Sequence, residues 1–318
     1  MLDEKATDVS ALASDLEKAV SEIFVGSLSS VKLAVMGLLG GLHVLIEDIP
    51  GVGKTTLAMA LSRAAGMSFS RIQFTPDMLP GDVLGMNIWD PLLREFVYRE
   101  GPINVNFILA DELNRTSPRT QSAFLEAMQD AQVSIDGKTR PLPQPFFLVA
   151  TQNPNSFTGT FPLPEAELDR FGLSFSLGYP TPDEEGEILK RRSGAPANAL
   201  MRTVSTPDQV RQAREAISHI HVADPVRDYM VLLVRATRHH QDIRLGASPR
   251  AALFLQQASR TRAACEGRDF VMPEDVEALA PAVLAHRIQL SSQARLNATD
   301  AFHCIQSICA DIQKPTGL

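Results

Sequence analysis

The segment Ile46-Glu47-Asp48-Ile49-Pro50-Gly51-Val52-Gly53-Lys54-Thr55-Thr56 constrains this chain more than any other. An apolar run over 42–46 reads as a buried strand, a glycine-bearing turn follows, and residues 55–65 carry apolar side chains at helical spacing. Strand, turn and helix N-terminus in that order make an anion site, because the turn's N–H groups and the helix dipole converge on one spot. The pattern is a P-loop, and its expected nucleotide contacts are Pro50, Gly51, Val52, Gly53, Lys54, Thr55 and Thr56. Lys54 is placed to reach the β- and γ-phosphates, and the Thr55 hydroxyl to ligate Mg²⁺. Asp48 stands where a glycine is commoner. A carboxylate beside a triphosphate must point away, so Asp48 is expected to cap the turn. A chance glycine turn is the competing reading, and the rest of the chain weighs against it.

The 318 residues leave room for about two domains and a large core. Hydrophobic content of 44% and charged content of 21% describe a folded globular chain rather than a disordered one. A net charge of −7 argues against a protein that coats nucleic acid or an anionic membrane. The polar N-terminus carries no signal-peptide pattern, and the longest apolar stretch, 33–46, is too short to span a bilayer. No direct membrane insertion is expected. Cys265, Cys304 and Cys309 are odd in number and lack CxxC spacing, which points to neither a disulfide framework nor a zinc site and suits the cytoplasm.

Residues 9–40 read as helical, and five apolar runs then alternate with helical patterns: 42–46, 70–74, 106–110, 146–150 and 172–177. That alternation predicts an α/β core, a parallel sheet covered by helices on both faces. Alternating residues around Asp136-Gly137 predict a β-hairpin inserted before the fourth run. Beyond Leu177 the pattern predicts helices only. Thr181-Pro182-Asp183-Glu184 and Thr206-Pro207-Asp208-Gln209 each supply an N-cap, a proline at the first helical position and an acid or amide at the third. Ser248-Pro249 and Pro273-Glu274-Asp275 open two more helices, and 193–205 reads as a connecting loop. The division falls near Gly178: residues 1–178 form the α/β core and 179–318 an all-α lid.

Four further segments carry chemistry. Phe107-Ile108-Leu109-Ala110-Asp111-Glu112 is an apolar strand ending in two carboxylates, at the edge where open α/β sheets bind ligands. Asp111 is expected to hold Mg²⁺ and Glu112 to polarise the attacking water. Leu148 to Asn153 is another strand ending in polar groups; Asn153 either senses the γ-phosphate or forms a turn before Pro154. Arg170 ends a short helix beside a strand, and reads either as a catalytic cation or as a surface arginine satisfying a helix C-terminus. Arg250 opposes the dipole in the first turn of its helix, a placement tolerated more readily beside an anion, although an ordinary exposed arginine fits too. His219, His221, His239 and His240 lack metal-ligand spacing, and with Arg235 and Arg238 read as a solvated face. Trp89 is either a packed aromatic or part of an exposed contact loop.

Together these segments resemble the MoxR family of AAA+ ATPases. The matching stretches are Gly41 to Glu47 with the P-loop, Arg71-Ile72-Gln73-Phe74-Thr75-Pro76-Asp77 running on to Asp82, and Gly101-Pro102-Ile103. Then come Ala110 to Thr116, Gln121 to Gln129, Ala150-Thr151-Gln152-Asn153-Pro154, and Phe161 to Phe171. The C-terminal part matches only in pattern, chiefly at Ser248-Pro249-Arg250. The resemblance implies an αβα core with an α-helical lid and a ring homo-oligomer, usually a hexamer. It implies ATP and Mg²⁺ as cofactors. Lys54 and Thr55 match the Walker A pair, Asp111 and Glu112 the Walker B pair, and Asn153 matches sensor 1. Arg170 matches an arginine finger and Arg250 matches sensor 2. Residues 77–104 correspond to the helix-2 insert and 130–145 to the hairpin before sensor 1, both candidates for contact with substrate or partner.

The function implied is an ATP-driven chaperone that rotates its lid against its core to remodel, mature or activate a client protein or enzyme complex, with a von Willebrand factor A (VWA) domain protein as partner. A nucleotide-gated scaffold with little hydrolysis is a second reading, against which Glu112 and Arg170 argue. A nucleic-acid motor is a third, disfavoured by the acidic balance; no nucleic-acid partner is expected.

Overall fold

A computed structural model describes residues 8–153, 160–192 and 201–315. The chain opens with two helices, α1 (Val9–Ser21) and α2 (Leu28–Gly40). Asp8 caps α1, its carboxylate accepting from the amides of Ser10 and Ala11, and Gly41 ends α2 in the left-handed conformation. The helical stretch expected over 9–40 is thus broken once, at 22–27. Next come β1 (Val44–Glu47), α3 (Lys54–Ala64) and β2 (Phe69–Gln73). A short helix α4 (Pro80–Leu84) leads into a hairpin of β3 (Gly85–Asp90) and β4 (Glu95–Glu100). Then follow β5 (Phe107–Asp111), α5 (Pro118–Asp130), a second hairpin of β6 (Gln132–Ile135) and β7 (Lys138–Pro141), and β8 (Phe147–Gln152). The four-residue helix α6 (Glu165–Leu168) precedes β9 (Leu173–Phe175).

All five apolar runs become strands of one parallel sheet, in the order β2-β5-β8-β1-β9. Its two-residue period sorts side chains between two cores. Phe107 and Leu109 of β5 join Phe147 and Val149 of β8 on the face covered by α1, α2 and α3. Ile108, Ala110, Leu148 and Ala150 point the other way, toward Phe124, Leu125 and Met128 of α5. Burial on both faces explains why β5 and β8 read as continuous apolar runs. Each large side chain so buried contributes about 1.5–3 kcal/mol. The edge strand β2 instead alternates, leaving Arg71 and Gln73 exposed on one face.

The remainder is mostly helical: α7 (Pro182–Arg192), α8 (Pro207–Ser218), α9 (Asp224–Ala236), β10 (Ile243–Leu245), α10 (Pro249–Cys265), α11 (Pro273–Leu284), β11 (Gln289–Leu290), α12 (Ser292–Leu296) and α13 (Ala301–Asp311). Both expected capping boxes form. Glu184 accepts from the Thr181 amide at 2.7 Å, and Gln209 from the Thr206 amide at 3.0 Å. The expectation of helices alone is corrected by β10 and β11, which pair antiparallel; at three and two residues they are too short to show a period. Of the expected connecting loop, 193–200 lies outside the described residues, and 201–205 has no regular structure.

The helical part docks on α1 and α2, so that α8 and α10 extend the same apolar cluster that lines the sheet. At Gly40 an added Cβ would lie 2.4 Å from Thr261 Oγ1, and this closeness lets α2 approach α10. Arg214 on α8 donates to the Leu38 carbonyl at 3.0 and 3.1 Å and to the Phe146 carbonyl at 3.3 Å. Gln257 donates to the Gly40 carbonyl at 3.1 Å.

The two hairpins touch each other. Asn87 donates to Asp136 at 2.5 Å, and the Arg140 guanidinium lies 3.9 Å from the centre of the Tyr98 ring. Trp89 is 51% exposed and stacks edge-on against Phe96, which is 69% exposed. Leu92 at the turn is 94% exposed. Trp89 is therefore exposed, but on a hairpin strand against Phe96 rather than in a loop or in the core. Among the described residues no helix is long and apolar enough to cross a membrane.

Candidate active site

Strand order assembles the site. Because β8 lies between β1 and β5, the C-terminal ends of three neighbouring strands deliver the P-loop, Asn153 and Asp111-Glu112 to one edge. They surround a cavity of about 330 Å³. Pro50, Gly51, Gly53, Lys54 and Thr55 form one wall. Asp111, Glu112, Thr151 and Asn153 form another, with Arg71 and Gln73 beside them. Val52 turns into the apolar core instead, and Thr56 also lies off the cavity wall.

Gly51 and Gly53 adopt φ of +91° and +96°, a backbone that side chains disfavour. A Cβ at Gly51 would meet nothing within 4 Å, so the loop presents bare backbone to the cavity. The Lys54 ammonium donates to the carbonyls of Asp48 and Ile49, at 2.7 and 2.9 Å. Burial lowers its pKa, against the opposing pull of Asp48, Asp111 and Glu112. Asp48 points away from the cavity as expected, but its partners lie across the chain. It accepts from the amides of Leu177 and Gly178 at 2.7 and 2.9 Å and from the Ser176 hydroxyl at 2.9 Å. It also accepts from the Ile49 amide at 2.8 Å. Burial pushes its pKa up, but these hydrogen bonds outweigh burial and hold it below the usual carboxylate range.

The acidic pair is held from three sides. Thr151 donates to Asp111 at 2.7 Å and accepts from the Glu112 amide at 2.9 Å. Arg71 pairs with the other Asp111 oxygen at 2.6 Å. Glu112 sits in the left-handed region with φ of +56°, a strained backbone of the kind that gathers at functional sites. Its carboxylate accepts from Gln73 at 2.7 Å and Arg115 at 3.0 Å. The backbone carbonyl of Asn153 accepts from Asn114 at 3.4 Å; Pro154 lies outside the described residues. Arg71, Gln73, Arg115 and Thr151 had no role in the sequence reading. For Arg71 and Gln73 a signal was present in β2, where these two polar residues flank Ile72 and share one face of the strand.

Arg170 and Arg250 do not join this cavity. They line a second one, of about 430 Å³, together with His43, Met128, Phe254 and Gln257. Among the described residues the two cavities share no lining residue. Arg170 follows the end of α6 and Arg250 lies in the first turn of α10, as the sequence indicated. Nη1 of Arg170 is buried and has no hydrogen-bond partner among the described residues. Between the arginines, Asp169 accepts from the Ser248 hydroxyl at 2.9 Å and from Arg287 at 3.0 Å.

The residues present suit a nucleoside triphosphate with a hard cation. The bare turn at Gly51 and the Lys54 ammonium fit phosphate. The Thr55 hydroxyl and Asp111 carboxylate are hard oxygen donors of the kind Mg²⁺ takes alongside phosphate oxygens. Among the described residues, no group of three or more His, Cys, Asp or Glu side chains could hold a metal by itself.

Residues 43–173 match the family model described as ATPase family associated with various cellular activities (AAA), and 235–304 match the AAA lid domain. The chain is 42% identical to chaperone MoxR1 of Mycobacterium tuberculosis, over 91% of this chain and 79% of that one. It is 41% identical to the uncharacterized protein YeaC of Bacillus subtilis, over 97% of this chain and 96% of that one. A protein of Cytophaga hutchinsonii superposes in its crystal structure with a TM-score of 0.91 at 34% identity, covering 99% of this chain and 98% of that chain. With the phosphate turn, the acidic pair and the helical lid in the order such proteins share, the chain belongs to the MoxR family of AAA+ ATPases.

Proposed function

We propose that this chain hydrolyses ATP at sites shared between neighbouring subunits of a ring, and uses the cycle to remodel or activate a client protein. One observation carries the reading. Arg170 and Arg250 open together on a cavity that, among the described residues, shares none with the P-loop cavity of their own chain. Two cations suited to phosphate then serve a second copy's nucleotide, and each site is complete only in the assembly. On this reading both arginines act in trans.

In that site Lys54 and the P-loop amides hold the phosphates. Thr55 and Asp111 would hold Mg²⁺, which would supply positive charge against the phosphates. Glu112 takes the proton of the attacking water, and Asn153 orients that water. Arg170 of the next subunit stabilises charge developing on the transferred phosphoryl group, and Arg250 grips the same phosphates. In this division residues 1–178 act as the nucleotide core and 179–318 as the lid. Lid and core share one apolar cluster, which favours movement of whole subunits against one another over rotation within each.

A hexamer, a VWA-domain partner and a cytoplasmic location complete the reading by family likeness. The hairpin tip with Trp89, Leu92 and Phe96 is the surface offered to a client protein, being apolar and solvent-exposed. The test is ATP hydrolysis per chain against protein concentration, wild type beside Arg170→Ala. A steep rise with concentration, lost in the variant, is expected, since an arginine supplied in trans is worth about 10³–10⁵ in rate. Equal turnover per chain in a demonstrably monomeric sample overturns the reading.

A further inference from the structure

Arg287 lies on the single turn 285–287 that follows α11, and its side chain is 1% exposed. The guanidinium straddles the segment that carries Arg170. Nε donates to the Asp169 carboxylate at 3.0 Å, and Nη2 donates to the backbone carbonyls of Asp169, at 3.4 Å, and of Phe171. The residue before Arg170 and the residue after it are thus held by one planar group. Nη1 donates to the Val283 carbonyl, which fixes the fork to its own helix. His286 adds a contact to the Phe171 carbonyl at 3.1 Å.

The same network reaches the second arginine. The Asp169 oxygen not taken by Arg287 accepts from Ser248, the N-cap of α10, two residues before Arg250. Phe254, one turn beyond Arg250, lies under the Arg287 guanidinium at 4.5 Å. A buried ion pair is a costly way to attach a lid, because removing two charges from water offsets much of their attraction. An apolar contact would attach it as well. What the planar guanidinium adds is direction: its five donors accept only one arrangement of carboxylate and carbonyls.

We propose that Arg287 is a positioning residue that, through Asp169, presents Arg170 and Arg250 as one rigid pair to the neighbouring subunit's nucleotide. The proposal rests on the shared-site reading above. Misplacing a reacting group by about 1 Å costs on the order of 100-fold in rate. Arg287→Met, which keeps an unbranched apolar stem, is therefore expected to lose kcat on that order, while its KM for ATP rises no further than that of Arg250→Ala, which removes the phosphate grip outright.

Subunit mixing separates this role from a merely structural one. Glu112→Gln subunits cannot hydrolyse but carry an intact arginine pair; Arg287→Met subunits carry an intact P-loop and Glu112. A mixture of the two is expected to recover about a quarter of the wild-type rate, the share of head-to-tail interfaces that random mixing completes. Arg170→Ala mixed with Glu112→Gln, run alongside, is expected to recover equally. Recovery with Arg170→Ala but not with Arg287→Met overturns the proposal and leaves the shared site standing. Recovery in neither mixture, with every variant assembled, overturns the shared site and the proposal with it. If thermal melting shows that Arg287→Met does not fold, Asp169→Asn replaces it, and the same outcomes apply.

Discussion

Gln73 donates to the carboxylate of Glu112 at 2.7 Å, from the edge strand of the sheet to the tip of its neighbour. Arg115 holds the same oxygen at 3.0 Å. The group proposed to take a proton from water is therefore restrained by two donors, and loosening one should free it. A net hydrogen bond is worth about 0.5–1.5 kcal/mol, or roughly a 2- to 10-fold change in rate. Gln73→Ala is expected to raise basal kcat by that factor with KM unchanged, in steady-state ATPase assays. A fall in kcat instead would mean that Gln73 holds Glu112 in its working position.

Asp48 joins the root of the P-loop to the chain leaving the sheet at Leu177 and Gly178. Asp48→Ala leaves those amides and the Ser176 hydroxyl without their acceptor, at a cost of about 1–3 kcal/mol. A lower urea midpoint with unchanged slope is the expected result. Because the folded pKa of Asp48 is depressed, its contribution is present above the unfolded carboxylate value and fades as pH falls through the folded one. The variant should accordingly lose its difference from wild type in strong acid. An unchanged midpoint at neutral pH would show these bonds to be energetically idle.

His43 accepts from the Leu148 amide at 3.1 Å and contacts the Met128 carbonyl at 3.2 Å, half-buried beside the sheet. Burial, helped by the nearby Arg214 charge, lowers its pKa to about 4. The folded state therefore favours the neutral ring, while the unfolded chain takes up a proton near pH 6.5. Stability should be flat with respect to this group above pH 6.5 and fall by about 1.4 kcal/mol per pH unit from there toward pH 4. His286, also lowered by burial, steepens the same limb. His43→Gln should flatten it in urea titrations run across that window; an unaltered slope would remove His43 from the account.

The hairpin tip is exposed on the folded chain, so Trp89→Ser with Leu92→Ser should change stability by no more than about 0.5 kcal/mol. Basal ATPase should persist, while binding of a fluorescent apolar dye should fall. Undiminished dye binding would place the sticky surface elsewhere.

Local features were legible because each depends on near neighbours. A glycine turn between strand and helix declares itself within a dozen residues. So does a doubly buried strand ending in Asp111 and Glu112, and so do the capping boxes at Thr181 and Thr206. Strand ends shifted by a residue or two. β10 and β11 were missed because two or three residues cannot display a period, and the β3–β4 hairpin because its strands, largely exposed on both faces, show no clear apolar alternation.

The sequence alone determined the phosphate turn, the acidic pair, the five strands and the family, since these rest on short patterns in a set order. The tertiary structure decided which groups meet. It put Arg71 and Gln73 on the acidic pair, turned Asp48 toward Leu177, and set Arg170 and Arg250 around Asp169 and away from their own P-loop. Asp169 and Arg287 are 118 residues apart in the chain and 3.0 Å apart in space. No local period encodes such a pair, because its energy depends on the packing that buries Arg287 against a half-buried Asp169.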